Sequence, residues 1–157
     1  MKQTSDSVRN KIRFLLVEDD LDHAAILLRA LREHGGDSEF HHVENGADAL
    51  AFLRHEGPFR ESIDPDVVLL DLKLPKISGQ EVLREIRRDP QLADIPVIVL
   101  STSDAEGDMQ NVYKNHANSY LVKPLDLQSF RKMAEDLQDY WGQWNHVPRR
   151  PSPRYKG

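Results

Sequence analysis

Five short apolar runs, spread along 157 residues, limit what this chain can fold into more than any other feature. They are Ile12 to Val17, Phe40 to Val43, Val67 to Leu70, Val97 to Leu100 and Tyr120 to Val122, each the length of a strand. Three of them, FLLV, VVLL and VIVL, show no period-two alternation. Successive side chains of a strand point to opposite faces, so a strand with one wet face alternates, while one apolar throughout is covered on both. Parallel strands are covered in this way, because their crossover connections lay helices over each face of the sheet.

The intervals between the runs carry helical spacing. Leu21, Ala24, Ala25, Leu28 and Leu31 form one apolar stripe, with a stop expected at Gly35-Gly36. Ala47 to Arg54 predicts a second helix, Gln80 to Arg88 a third closed by Asp89-Pro90, and Asp104 to His116 a fourth. Phe130, Met133, Leu137, Tyr140 and Trp144 supply the inner face of a fifth. Strand and helix thus alternate five times, which predicts a doubly wound α/β sheet with right-handed crossovers and helices on both faces. A long polar connection at 56–65 and the segment beyond His146 stand outside the pattern. The expected layout is a flexible N-terminus at 1–10, one domain at 11–146, and a flexible, basic, Pro-containing tail at 147–157.

Composition narrows the function classes. Cysteine is absent, which removes disulfides and thiolate metal sites and suits a reducing compartment. The first residues are polar, and no apolar run approaches the roughly 18 residues a membrane span needs. A formal charge of -5 disfavours a nucleic-acid surface. The expectation is a soluble cytoplasmic protein that binds neither DNA nor membrane.

In an open parallel sheet, ligands bind beyond the carboxyl ends of the strands, so the residues following each run deserve inspection. The first run leads into Glu18-Asp19-Asp20, the third into Asp71, the fourth into Ser101-Thr102 and the fifth into Lys123-Pro124. A single carboxylate there often caps a helix, as Asp20 would, but four such coincidences at one edge make a set. Carboxylates of Glu18, Asp19 and Asp71 brought close together repel by about 4 kcal/mol per pair at an intermediate dielectric. Lys123 neutralises one charge, and a hard, partly hydrated cation such as Mg²⁺ answers the rest. A carboxylate beside Mg²⁺, an ammonium and a small hydroxyl is the equipment of phosphoryl transfer, with Asp71 as nucleophile and Lys123 and Ser101 contacting the phosphoryl oxygens.

The motifs LLVEDD (15–20), VVLLDLKLPKISG (67–79), PVIVLSTS (96–103) and SYLVKP (119–124) together resemble the receiver domain of two-component response regulators. The resemblance implies a flavodoxin-like (βα)5 sheet with strand order 2-1-3-4-5. It also implies that Asp19 ligates the metal directly, that Glu18 acts largely through water, and that the backbone carbonyl of Lys73 completes the site. Asp71 becomes the phosphoacceptor, Ser101 the switch hydroxyl, Tyr120 the switch aromatic, and Lys123 the phosphate-pairing lysine before a cis peptide to Pro124. Where the family more often has threonine then alanine, this chain has Ser101-Thr102, and where it has glycine-alanine, this chain has Ala117-Asn118.

The stretches HEGPFRESIDPDVVLLDLKLP and YWGQWNHVP further resemble the stand-alone regulators that partner phytochrome-type histidine kinases. Those relatives have one receiver and often form homodimers through the face of the fourth helix, fifth strand and fifth helix, which makes Tyr140, Trp141 and Trp144 candidate seam residues. The implied protein is a phosphoacceptor that assists its own phosphorylation and dephosphorylation, not a metabolic enzyme. Two alternatives stand beside it. One is a phosphorylation-independent scaffold, which the full acidic set disfavours; the other is a Mg²⁺-dependent aspartyl phosphatase, whose second acid two residues after the nucleophile is here Lys73. His41-His42 read as ordinary strand histidines, since adjacent strand residues face opposite ways.

Overall fold

The computed structural model describes residues 11–34 and 38–148. Five strands make one parallel sheet in the order β2-β1-β3-β4-β5, where β1 is Arg13–Val17, β2 Glu39–Val43, β3 Val67–Leu70, β4 Val97–Ser101 and β5 Ser119–Val122. The helices are α1 Leu21–Glu33, α2 Gly46–Arg54, α3 Gly79–Arg88, α4 Glu106–Lys114 and α5 Leu127–Asp139.

The unalternating runs behave as their composition demands. Leu15, Val17, Val68, Leu70, Val97 and Val99 pack into one core layer together with α2 and α3. Their sequence neighbours Phe14, Leu16, Val67, Leu69, Ile98 and Leu100 pack into the opposite layer together with α1 and α5. Both faces are dry, and each fully buried Leu, Ile or Val stabilises the fold by about 1.5–3 kcal/mol over its exposed state.

Side chains at the sheet's carboxyl edge start the helices. Asp20 accepts from the backbone N–H groups of Asp22 and His23 at 3.0 and 3.1 Å, Asn45 from Asp48 at 2.8 Å, Ser78 from Glu81 at 3.2 Å and Asp126 from Ser129 at 2.8 Å. Each bond satisfies an otherwise orphaned donor of a first turn. The long 56–65 connection is ordered by its own chemistry. His55, in the left-handed region at φ 57°, lies 2.9 Å from Ser62 Oγ through Nδ1 and 2.6 Å from Asp64 Oδ1 through Nε2. Phe59 packs on Phe52 with ring centroids 5.6 Å apart.

Several expectations change. In α1 the buried residues are Ala24, Leu27, Ala30 and Leu31, while Leu21 and Ala25 of the expected stripe are exposed, because the helix turns its Leu27 side to the sheet. The inner face of α5 is Phe130, Ala134, Leu137 and then Trp141, whereas Tyr140 and Trp144 are 54% and 75% exposed. Leu137 has helical partners at both +3 and +4, so spacing alone does not choose between Tyr140 and Trp141. A π-turn over Tyr140–Trp144, closed by Asn145 N–H to Tyr140 O at 2.6 Å, ends the helix. Trp141, 7% exposed, therefore belongs to the core and leaves the candidate seam. Finally, no peptide bond among the described residues is cis, so the expected cis bond before Pro124 is trans. Trans is the cheaper isomer for X-Pro by about 0.5–1 kcal/mol, and Lys123 reaches its partners from it. The expected stop at Gly35-Gly36, the flexible N-terminus at 1–10 and the tail from 149 lie outside the described residues.

Candidate functional site

Strand ends and first helical turns converge on one acidic pocket at the carboxyl edge of the sheet. The position of Asp71 follows from its backbone: its N–H donates to Val17 O at 3.0 Å, holding it beside the end of β1. Gly79 lies directly beneath, where a Cβ would stand 2.2 Å from Asp71 O and 2.6 Å from Leu72 Cα. Only glycine allows α3 to start so close to the Asp71 backbone. Lys76, at φ 70°, turns the intervening loop.

Glu18, Asp19 and Asp71 each offer a carboxylate oxygen, and these oxygens lie within 4.8 Å of one another. Glu18 and Asp71 are buried and Asp19 is exposed. Lys123, 4% exposed, enters from β5 and donates to Asp71 Oδ2 at 3.0 Å and to Glu18 Oε1. Burial pushes the Glu18 carboxyl up to about 7, reinforced by a hydrogen bond shared with Asp71, while Lys123 pulls it down. With Glu18 ionised, three carboxylates against one ammonium leave two negative charges close together. Hard oxygen donors with this excess fit a divalent oxygen-seeking cation, with Glu18, Asp19 and Asp71 as its side-chain holders.

Ser101 is fully buried at the end of β4, and its Oγ accepts from Ser103 N–H at 3.2 Å. Tyr120 is half-buried, and its hydroxyl donates to Ser103 O at 2.8 Å. The expected switch pair therefore meets at Ser103, a residue that sequence reasoning passed over. Ser103 Oγ also donates to Asp108 Oδ2 at 2.7 Å in the first turn of α4, so the loop, the helix and β5 share one small hydrogen-bond network. Thr102, beside it, is exposed.

One histidine, His23, was missed, and another, His42, was read only as an ordinary strand residue. His42 Nε2 donates to Glu18 O at 2.8 Å while Glu18 N–H donates to Val43 O at 3.1 Å, so β2 staples the acidic turn from both ends of one residue. His23, in the first turn of α1, places Nδ1 3.2 Å from Lys123 Nζ. The signal for His23 was its position three residues after the capping Asp20, which aims a first-turn side chain back at the strand ends. His42 had no such signal beyond standing next to the end of its strand.

Order 2-1-3-4-5 with an acid triplet, a buried lysine and a buried serine hydroxyl at the carboxyl edge defines a receiver-type fold. The chain belongs to the family described as response regulator receiver domain, which matches residues 14–135. It is similar to a probable methanogenesis regulatory protein, FilR2, of Methanothrix harundinacea (strain 6Ac), 44% identical over 85% of this chain and 86% of that one. It also resembles response regulator Rcp1 of Synechocystis (strain PCC 6803), 39% identical over 81% of this chain and 86% of that one. An Mn²⁺-bound crystal structure of Rcp1 aligns with a TM-score of 0.84 at 37% identity, over 88% of this chain and 99% of that one. The phosphorylated cyanobacterial phytochrome response regulator RcpA aligns with a TM-score of 0.85 at 36% identity, over 89% of this chain and 100% of that one.

Proposed function

We propose that this receiver accepts a phosphoryl group on Asp71 from a histidine kinase, with Mg²⁺ as the metal, and signals by a change of shape. The observation that carries the reading is the convergence of Glu18, Asp19, Asp71 and Lys123 in one pocket. Bound there by Glu18, Asp19, Asp71 and the Lys73 carbonyl, Mg²⁺ would offset the charge of the phosphoryl oxygens during transfer. An Asp71 carboxylate oxygen attacks phosphorus, the phosphorus–nitrogen bond of the donor phosphohistidine breaks, and the imidazole nitrogen leaves with the electron pair. Lys123 holds Asp71 in place beforehand and pairs with a phosphoryl oxygen afterwards. The Ser101 hydroxyl then turns from Ser103 toward the phosphoryl group, and the network through Ser103, Tyr120 and Asp108 carries that change to α4 and β5.

On this reading the protein is a phosphoacceptor that assists its own labelling and hydrolysis, acts in the cytoplasm, and works by protein contact rather than on DNA. The relatives named for phytochrome signalling favour a phytochrome-type kinase as donor. No helix among the described residues is long and apolar enough to cross a membrane. The exposed Tyr113, Val122, Tyr140 and Trp144 lie on α4, β5 and the turn after α5, which favours a homodimer through that face. Incubation with Mg²⁺ and acetyl phosphate should add one phosphoryl group, detected by intact mass; equal labelling of Asp71→Asn would overturn the assignment.

A further inference from the structure

The geometry points to His23 as a positioning residue for Lys123, the third acceptor that completes the hydrogen bonding of a buried ammonium. This inference rests on the phosphoacceptor reading and deepens it. A lysine ammonium has three N–H donors and no acceptor. Lys123 is buried, and three acceptors surround it: Asp71 Oδ2 at 3.0 Å, Glu18 Oε1, and His23 Nδ1 at 3.2 Å. An ammonium donates to an imidazole nitrogen only through its lone pair, so this contact requires a bare Nδ1, with the ring hydrogen on Nε2.

The third acceptor differs from the other two in what becomes of it during the reaction. Glu18 and Asp71 are the carboxylates that a metal and a phosphoryl group claim, so their hold on Lys123 changes as the site fills. His23 takes no part in that exchange. Its backbone N–H donates to Asp20 Oδ1 at 3.1 Å, and its ring rests against Phe130 with centroids 5.9 Å apart, which fixes it on a rigid first turn. The other carboxylate oxygens near Nδ1, Asp20 Oδ2 at 3.7 Å and Glu18 Oε1 at 3.9 Å, lie beyond hydrogen-bond distance. His23 therefore keeps Nζ aimed at the place where the phosphoryl oxygens arrive. Without it, one buried N–H loses its partner and the ammonium is free to swing, and small misplacements of a charge-stabilising group slow transfer markedly.

The test uses the full chain and two substitutions. His23→Leu removes the acceptor while keeping bulk on Phe130; His23→Asn sets an amide oxygen where Nδ1 lies. Labelling by subsaturating acetyl phosphate in Mg²⁺ should fall roughly tenfold in His23→Leu and stay within about twofold of the natural protein in His23→Asn. Mg²⁺ affinity by titration calorimetry should be unchanged in both, which separates a hold on Lys123 from an effect through Glu18. Unimpaired labelling of His23→Leu, an asparagine variant as slow as the leucine one, or a parallel loss of Mg²⁺ affinity would each overturn the inference. If the natural protein itself takes no label, the phosphoacceptor reading fails instead.

Discussion

Glu18 is the residue whose charge depends most on what shares its pocket. Its carboxyl is raised from an ordinary 4.5 to about 7, first by burial and then by Asp71. Between those values the folded protein holds a proton that the unfolded chain has released, so stability falls as pH rises through this window, by at most about 1.4 kcal/mol per pH unit. Urea unfolding of the natural protein and Glu18→Gln, without divalent metal, should therefore show a downward slope between pH 4.5 and 7 that the glutamine variant lacks. Millimolar Mg²⁺ should flatten that slope, because a cation favours the ionised carboxylate. Gly79 tests the other structural requirement of the pocket. Any Cβ there meets backbone, not a flexible side chain. Gly79→Ala should cost about 1–3 kcal/mol in urea denaturation and slow acetyl phosphate labelling, since the strain falls on the carbonyl of Asp71 itself.

The helix that closes the chain shows how an element can satisfy one pattern in two ways. Two aromatic residues, one beside the other, compete for the inner face of α5, and the buried one is Trp141. Trp141→Ala should destabilise the monomer by about 3–5 kcal/mol, whereas Trp144→Ala should change it by less than about 0.5 kcal/mol. Chemical denaturation at low protein concentration separates the two. The connection after α2 behaves as a built element too. His55→Ala removes the ring bonded to Ser62 and Asp64 and should cost about 1–3 kcal/mol, accompanied by faster amide exchange across 56–65. That segment reads as a loop in sequence because its order comes from side-chain hydrogen bonds, which have no periodicity.

Across the whole molecule, the pocket and the α4–β5 surface are joined by Ser103, which bonds at once to Ser101, Tyr120 and Asp108. On the proposed reading, this network would respond to phosphorylation only as far as the phosphoryl group prefers one of two arrangements. Tyr120→Phe should keep the acetyl phosphate labelling rate within about twofold while reducing any phosphorylation-dependent change in self-association, followed by sedimentation velocity. Trp144→Ala should weaken self-association with or without the phosphoryl group, because it removes an exposed aromatic from the proposed seam.

The sheet and its acidic edge were legible in the chain because they are written in local terms. Unalternating runs identify parallel strands, and the residue following a strand lies at the carboxyl edge whatever else the fold does. The positions of Asp71, Glu18, Asp19, Ser101, Tyr120 and Lys123 were all expected that way, or by the family motifs around them. His23, His42 and Ser103 were not, since their roles consist of single contacts made across the sheet edge by residue types that are common everywhere. The choice of Trp141 over Tyr140 and the trans bond before Pro124 belong with them. Hydrophobic order along the chain determines which elements form and in what sequence. Which particular side chain meets a given polar atom is decided only when distant elements pack, because that energy resides in ångström-scale distances that no spacing of residues encodes.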